Sequence, residues 1–196
     1  MDLVDCPNID YFIAEKVLDK VNGDTAFVHG DPESLFLGII DGAGHGPEAH
    51  AIAKRARIFL ESNANSTLHT LMADLHNELR GTRGGVAIIG TLDVDNLLLR
   101  YVGVGNIVLK IFGAEPKRAL TQQGILGYNI ITPVEKNLQL TRGDVLVMQS
   151  DGISSHIDIS DYPQILRDDA KTIAKTLVRQ FAKSDDDATC LVLRVL

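Results

Sequence analysis

Tryptophan is absent, and cysteine nearly so: Cys6 and Cys190 are the only two in 196 residues. Two thiols make no disulfide framework, and without a CxxC pair they give no sign of structural zinc. Basic charge is also short, with 19 Lys and Arg against 26 Asp and Glu and a formal charge of -7. Such a chain cannot neutralise phosphate backbones in bulk, which excludes nucleic acid as a partner. No apolar run approaches the roughly 20 residues of a membrane helix, and the acidic Met1–Asp5 lacks the basic region of a signal peptide. A soluble cytoplasmic protein is expected. Glutamate is scarce too, at 7 against 19 Asp. Helix surfaces favour Glu, whereas Asp competes for backbone hydrogen bonds and suits turns, caps and metal sites.

What is plentiful is apolar. Hydrophobic residues make up 45% of the chain, enough for a core, so disorder is excluded. The length fits one domain spanning 1–196, with no repeat or linker. Three stretches carry a helical period. Over Pro47 to Leu60, apolar positions fall at Ala49, Ile52, Ala53, Ala56, Phe59 and Leu60. Thr67 to Arg80 follows, closed by Gly81, and Asp168 to Lys183 places Ala170, Ile173, Ala174, Leu177, Val178 and Phe181 on one stripe. The other segments read as strands: Ile9–Lys20, Thr25–His29, Ser34–Ile40, Val86–Leu92, Leu97–Val104, Ile107–Phe112, Leu138–Thr141, Val145–Gln149 and Ala188–Leu196. Their short connections, among them Asn22-Gly23-Asp24, Gly105-Asn106 and Arg142-Gly143-Asp144, are read as hairpins and so predict antiparallel pairing. The class is α+β.

Four segments could carry chemistry. The apolar strand Leu35–Ile40 runs into Asp41-Gly42-Ala43-Gly44-His45-Gly46 and then a helix, which projects a carboxylate above a strand end. Val145–Gln149 runs likewise into Ser150-Asp151-Gly152. Ser184-Asp185-Asp186-Asp187-Ala188-Thr189 joins a helix to the last strand, and Asn22-Gly23-Asp24 lies between the first two strands. Each alone admits a plain reading as a cap, a turn or a solvated helix end. Together they would gather carboxylates that repel unless cations neutralise them, and hard oxygen ligands select Mg²⁺ or Mn²⁺ over zinc.

These four segments, in this order, resemble the signatures of the metal-dependent, protein phosphatase 2C-like phosphatases. The DGAGHG form is similar to the bacterial SpoIIE/RsbU branch, as are Gly84-Gly85-Val86 and Val102-Gly103-Val104-Gly105-Asn106. A short chain without a sensor domain most resembles the stressosome phosphatases of the RsbX type. The resemblance implies a sandwich of two antiparallel sheets flanked by helices. It implies two cations, Mn²⁺ or Mg²⁺, with Asp41 bridging them beside the Gly42 carbonyl. Asp24 would complete one ion, and Asp151 and Asp186 the other, while Asp187 would stand outside the ligand set. Asp41 and Asp24 are the catalytic candidates, and the chemistry is direct hydrolysis of phosphoserine or phosphothreonine by metal-activated water. The implied substrates are phosphorylated STAS-domain proteins of a stressosome, similar to RsbS and RsbR, with the enzyme a monomeric negative regulator of the stress response.

The chain also departs from the family. Gly23-Asp24 replaces the Glu-Asp pair of eukaryotic members, Val86 stands where many bacterial members carry Thr, and no third-metal aspartate is evident. His45 is offset from the eukaryotic histidine, and Arg80 and Arg83 are the candidates for a phosphate-binding arginine. An RsbU-like phosphatase acting on an anti-sigma-factor antagonist is the near alternative, and a catalytically silent partner-binding relative a further one. From another class, Gly44-His45-Gly46-Pro47-Glu48-Ala49 matches the GxGxxA pattern of dinucleotide-binding oxidoreductases, but no parallel crossover follows it. Ser154-Ser155-His156 reads as local loop chemistry, and Arg142-Gly143-Asp144 as a turn.

Overall fold

The computed structural model describes residues 6–154 and 161–196. Met1–Asp5, read above for targeting, and the Ser155-His156 part of the serine-histidine loop lie outside the described residues. One sheet takes β1 (Ile9–Lys16), β12 (Ala188–Val195), β11 (Val145–Gln149), β6 (Val108–Phe112) and β7 (Lys117–Arg118), in that spatial order. The other takes β10 (Lys136–Gln139), β5 (Leu98–Val104), β4 (Gly85–Asp93), β3 (Ser34–Gly42) and β2 (Asp24–Gly30). β8 (Gly124–Ile125) and β9 (Asn129–Ile130) form a separate pair. Every ladder is antiparallel.

Strand alternation explains the layering. In β3, Leu35, Leu37 and Ile39 enter the core between the sheets, while Phe36 and Ile40 point to the outer face. β11 and β12 do the same: Leu146, Met148, Leu191 and Leu193 face inward, and Val145, Val147, Cys190 and Val192 outward. Because both faces of these central strands are apolar, both must be covered. Helices α1 (Gly46–Ser62) and α2 (Leu68–Glu78) cover one sheet through Ile52, Ala56, Leu60, Leu71, Met72 and Leu75. Helix α3 (Ala170–Phe181) covers the other through Ile173, Ala174 and Leu177. Asp169 caps α3, accepting from the Thr172 backbone N–H at 2.8 Å. The expected α+β sandwich of two antiparallel sheets flanked by helices is the observed architecture. Among the described residues, no helix is long and apolar enough to cross a membrane.

Three of the expected hairpins are not hairpins. β1 and β2 lie in different sheets, so Asn22-Gly23-Asp24 carries the chain across the sandwich. Gly105-Asn106 crosses between β5 and β6, and Arg142-Gly143-Asp144 between β10 and β11. A tight turn reverses the chain, but it does not specify whether the next strand pairs beside the first or packs opposite it. The run Ile9–Lys20 also ends as a strand at Lys16, and the unassigned stretch 113–135 contains β7, β8 and β9. The crossings matter for function, because two of them bring polar turns to the same edge of the sandwich.

Candidate active site

Asp41 lies at the end of β3, opposite Asp24 at the start of β2 in the strand register. β11 and β12 are antiparallel, with Gln149 opposite Cys190. The residues after β11, Ser150 and Asp151, therefore meet the residues before β12, Asp186 and Asp187. A cavity of about 630 Å³ opens there, lined by Asp41, Asp151, Asp185 and Asp186, by Gly44 and His45 ahead of α1, by Asn106, and by Gln123–Ile125. Asp24 sits deeper, only 5% exposed, with its carboxyl in hydrogen-bond contact with Asp41. The loop from β3 into α1 needs its glycines: Gly44 has φ +93°, in the left-handed region. The phosphatase-like reading thus has four aspartates from four chain segments brought to one place.

Their electrostatics follow from that crowding. Burial, and then repulsion from Asp24, Asp151 and Asp186, pushes the Asp41 carboxyl up to about 9. Burial likewise raises Asp24 to about 7; the Ser150 hydrogen bond opposes the rise, and Asp187, Asp186 and Asp151 add to it. Asp186 is raised by burial and by Asp151. Among the described residues, no three acidic, histidine or cysteine side chains already form a group that could hold an ion. The donor set nonetheless fits hard divalent cations, because it is all oxygen and its carboxylates repel one another.

The motifs include Ser150, Asn106 and Asp187, the last outside the ligand set, but give them no partners, and they leave out Lys16. Ser150 Oγ donates to Asp24 Oδ2 at 2.6 Å, and Asn106 Nδ2 donates to Asp151 Oδ2 at 2.6 Å. Asp187 turns inward and accepts from the backbone N–H groups of Leu18 and Gly23, both at 2.8 Å. Lys16 Nζ donates to the carbonyls of Lys183 and Asp186, tying the acidic loop to β1. The signal in the sequence was a serine and an aspartate on either side of apolar strands, where a polar side chain must find a partner. Asn106 lies in a segment that resembles the family, but Gly-Asn is also ordinary turn composition and gave no sign of its partner.

The remaining candidates separate cleanly. His45 is the N-cap residue of α1, with no side-chain capping bond, and lines the cavity. Arg83 lies near Gly44, a residue of the cavity lining, and pairs with Glu48 at 2.8 Å; Arg80 lies near His76. The GxGxxA alternative fails structurally, because the strands flanking α1 and α2 pair antiparallel rather than through a parallel crossover. The aspartate of Arg142-Gly143-Asp144 is buried and accepts from the Thr141 backbone.

Two antiparallel sheets between helix layers, with an acidic cluster at one edge, define the fold and site of a protein phosphatase 2C-like enzyme. The chain belongs to the SpoIIE family: the family model for Stage II sporulation protein E (SpoIIE) matches residues 31–196. It is accordingly a serine/threonine protein phosphatase of a class that uses divalent metal. Among solved structures, it is similar to one from work described as "The bacterial stressosome: a modular system that has been adapted to control secondary messenger signaling". That likeness has 31% identity and a TM-score of 0.87, over 95% of this chain and 99% of the other. RsbX in complex with magnesium shares the fold at 18% identity and a TM-score of 0.84, covering 98% of each chain. The RsbU and RsbW domains of Rv1364c from Mycobacterium tuberculosis share it at 22% identity and a TM-score of 0.80, over 97% of this chain and 60% of that one. No curated protein matches.

Proposed function

We propose that Asp24, Asp41, Asp151 and Asp186, with the Gly42 carbonyl, hold two divalent cations, Mn²⁺ or Mg²⁺, and that Asp41 and Asp24 are the catalytic carboxylates. The observation that carries this reading is the convergence of Asp41, Asp151 and Asp186 on one cavity, with Asp24 buried across the strand ladder from Asp41. Burial and mutual repulsion there hold Asp41 and Asp24 far above the ordinary range. Bound cations supply a water acidic enough to act as nucleophile near neutral pH and positive charge for the phosphoryl oxygens. The chain's own residues do the positioning. Ser150 orients Asp24, Asn106 orients Asp151, and Lys16 steadies the loop that carries Asp186. The reading has the cavity receive a phosphorylated side chain from a folded partner, with the exposed Arg83 near Gly44 of its lining.

The substrates are phosphorylated STAS-domain proteins of a stressosome, and the enzyme resets that complex as a negative regulator of the stress response. Support comes from 31% identity, over 95% of this chain, to a structure from stressosome work. The reading has the 196 residues act as one monomeric catalytic domain in the cytoplasm. The test is Mn²⁺-titrated phosphate release from phosphorylated stressosome scaffold proteins, with and without Asp41→Ala. Release should need the metal and vanish in the variant; activity that survives Asp41→Ala sinks the site assignment. Release only from an anti-sigma-factor antagonist would replace the stressosome reading with the RsbU-like one.

A further inference from the structure

The acidic segments belong to different sheets. Asp24 starts β2 of one sheet, whereas Asp151 follows β11 and Asp186 precedes β12 of the other. Between the sheets lies the apolar core, whose attraction is non-directional. A cation site needs its ligands held to about 0.5 Å, so something directional has to register one sheet against the other at this edge.

A closed ring of hydrogen bonds does this. Thr189 N donates to Ser150 Oγ at 3.0 Å, and Ser150 Oγ donates to Asp24 Oδ2 at 2.6 Å. Asp24 N donates to Asn22 Oδ1 at 2.9 Å, and Asn22 Nδ2 donates to Thr189 Oγ1 at 3.0 Å, which returns the ring to its start. Asp187 adds a strap beside it, with Oδ1 on Leu18 N and Oδ2 on Gly23 N. Asn22, Asp24, Ser150, Thr189 and Asp187 are all buried.

The choice of aspartate at 187 is informative. Its charge repels Asp24, so it stands where another carboxylate is least welcome. Two converging backbone N–H groups need two acceptors, however, and an asparagine amide offers one oxygen. Both Asp187 oxygens are taken by those donors, which leaves the residue as a brace.

We propose that Ser150 and Asp187 are positioning residues: with Asn22 and Thr189 they lock the acidic segments of both sheets into one cation-binding geometry. This rests on the metal-phosphatase reading above. Outer-shell partners of this kind are worth 10–100-fold in metal affinity.

The test is calorimetric titration of the full chain with Mn²⁺, alongside the half-saturating Mn²⁺ for phosphate release. Ser150→Ala and Asp187→Asn should each weaken binding by roughly 10–100-fold and shift half-saturation by the same factor, with an unchanged far-UV spectrum. Thr189→Val should behave the same way, and Thr189→Ser, which keeps the hydroxyl, should restore binding. Should Ser150→Ala fail to fold, Asp187→Asn, nearly identical in shape, carries the test. Wild-type affinity in both variants, or lost activity with unshifted half-saturation, overturns the lock alone. A wild-type chain that binds no Mn²⁺ overturns the metal-phosphatase reading and the lock with it.

Discussion

Asp24 and Asp41 face each other across the β2–β3 ladder with their carboxyls in hydrogen-bond contact. Their folded values, about 7 and about 9, lie above the roughly 4 of an unfolded aspartate. The unfolded chain therefore releases these protons first. Metal-free stability is fullest below about pH 4 for this pair and declines as pH rises through 7 and 9. In chelator, the Asp24–Asp41 contribution should lower the melting temperature by about 5 °C or more between pH 5 and pH 9. Mg²⁺ should recover most of that loss, and Asp41→Asn should flatten the slope. A wild-type slope no steeper than that of Asp41→Asn would contradict the electrostatic account.

Gly152 follows Asp151 directly, and a Cβ there would collide with the Asp187 backbone carbonyl. Backbone cannot yield as a flexible side chain does, so Gly152→Ala must push apart two segments that both serve the acidic cluster. Overpacking of this kind costs roughly 1–3 kcal/mol. Urea unfolding should show that loss in the midpoint, together with weaker Mn²⁺ binding. Unchanged stability would mean that the Asp151–Gly152 turn relaxes independently of the acidic loop.

How much could be read in advance follows from what sequence patterns report. The stripe Ala49, Ile52, Ala53, Ala56 and Leu60 is buried on α1 as its spacing requires, and the apolar run before Asp41 is β3. Periodicity records that a face is covered, not by what, so the turns at 22–24, 105–106 and 142–144 looked like hairpins although each crosses the sandwich. The bond from Ser150 to Asp24 spans 126 positions, and that from Leu18 to Asp187 spans 169. Local composition carries no trace of such pairings. Motif order brought out the four aspartates, and only the assembled fold gave the residues that brace them.

Of the two arginines considered for the substrate phosphate, Arg83 is the one that lies near Gly44 of the cavity lining, where it pairs with Glu48. Both partners are more than half exposed, so the pair is weak and can exchange for a phosphate at small cost. Arg83→Ala should raise KM for a phosphoprotein about 10-fold with a smaller change in kcat, while Arg80→Ala leaves both near wild type. Steady-state kinetics on one phosphoprotein decides this. Equal effects from the two substitutions would remove Arg83 from substrate contact.

Leu120, Tyr128 and Ile131 are 67%, 83% and 59% exposed, on the stretch whose Gln123–Ile125 line the cavity. Large apolar side chains exposed on a stretch that also lines the cavity suit contact with a protein surface rather than with a small ester. Tyr128→Ser combined with Ile131→Ser should therefore lower kcat/KM for a phosphoprotein about 10-fold or more, about 1.4 kcal/mol of lost transition-state stabilisation. Hydrolysis of p-nitrophenyl phosphate, which has no protein surface to dock, should keep its wild-type kcat/KM. A parallel loss on both substrates would mean that Tyr128 and Ile131 support the cavity itself, and a loss on neither would mean that the protein substrate does not dock on this stretch.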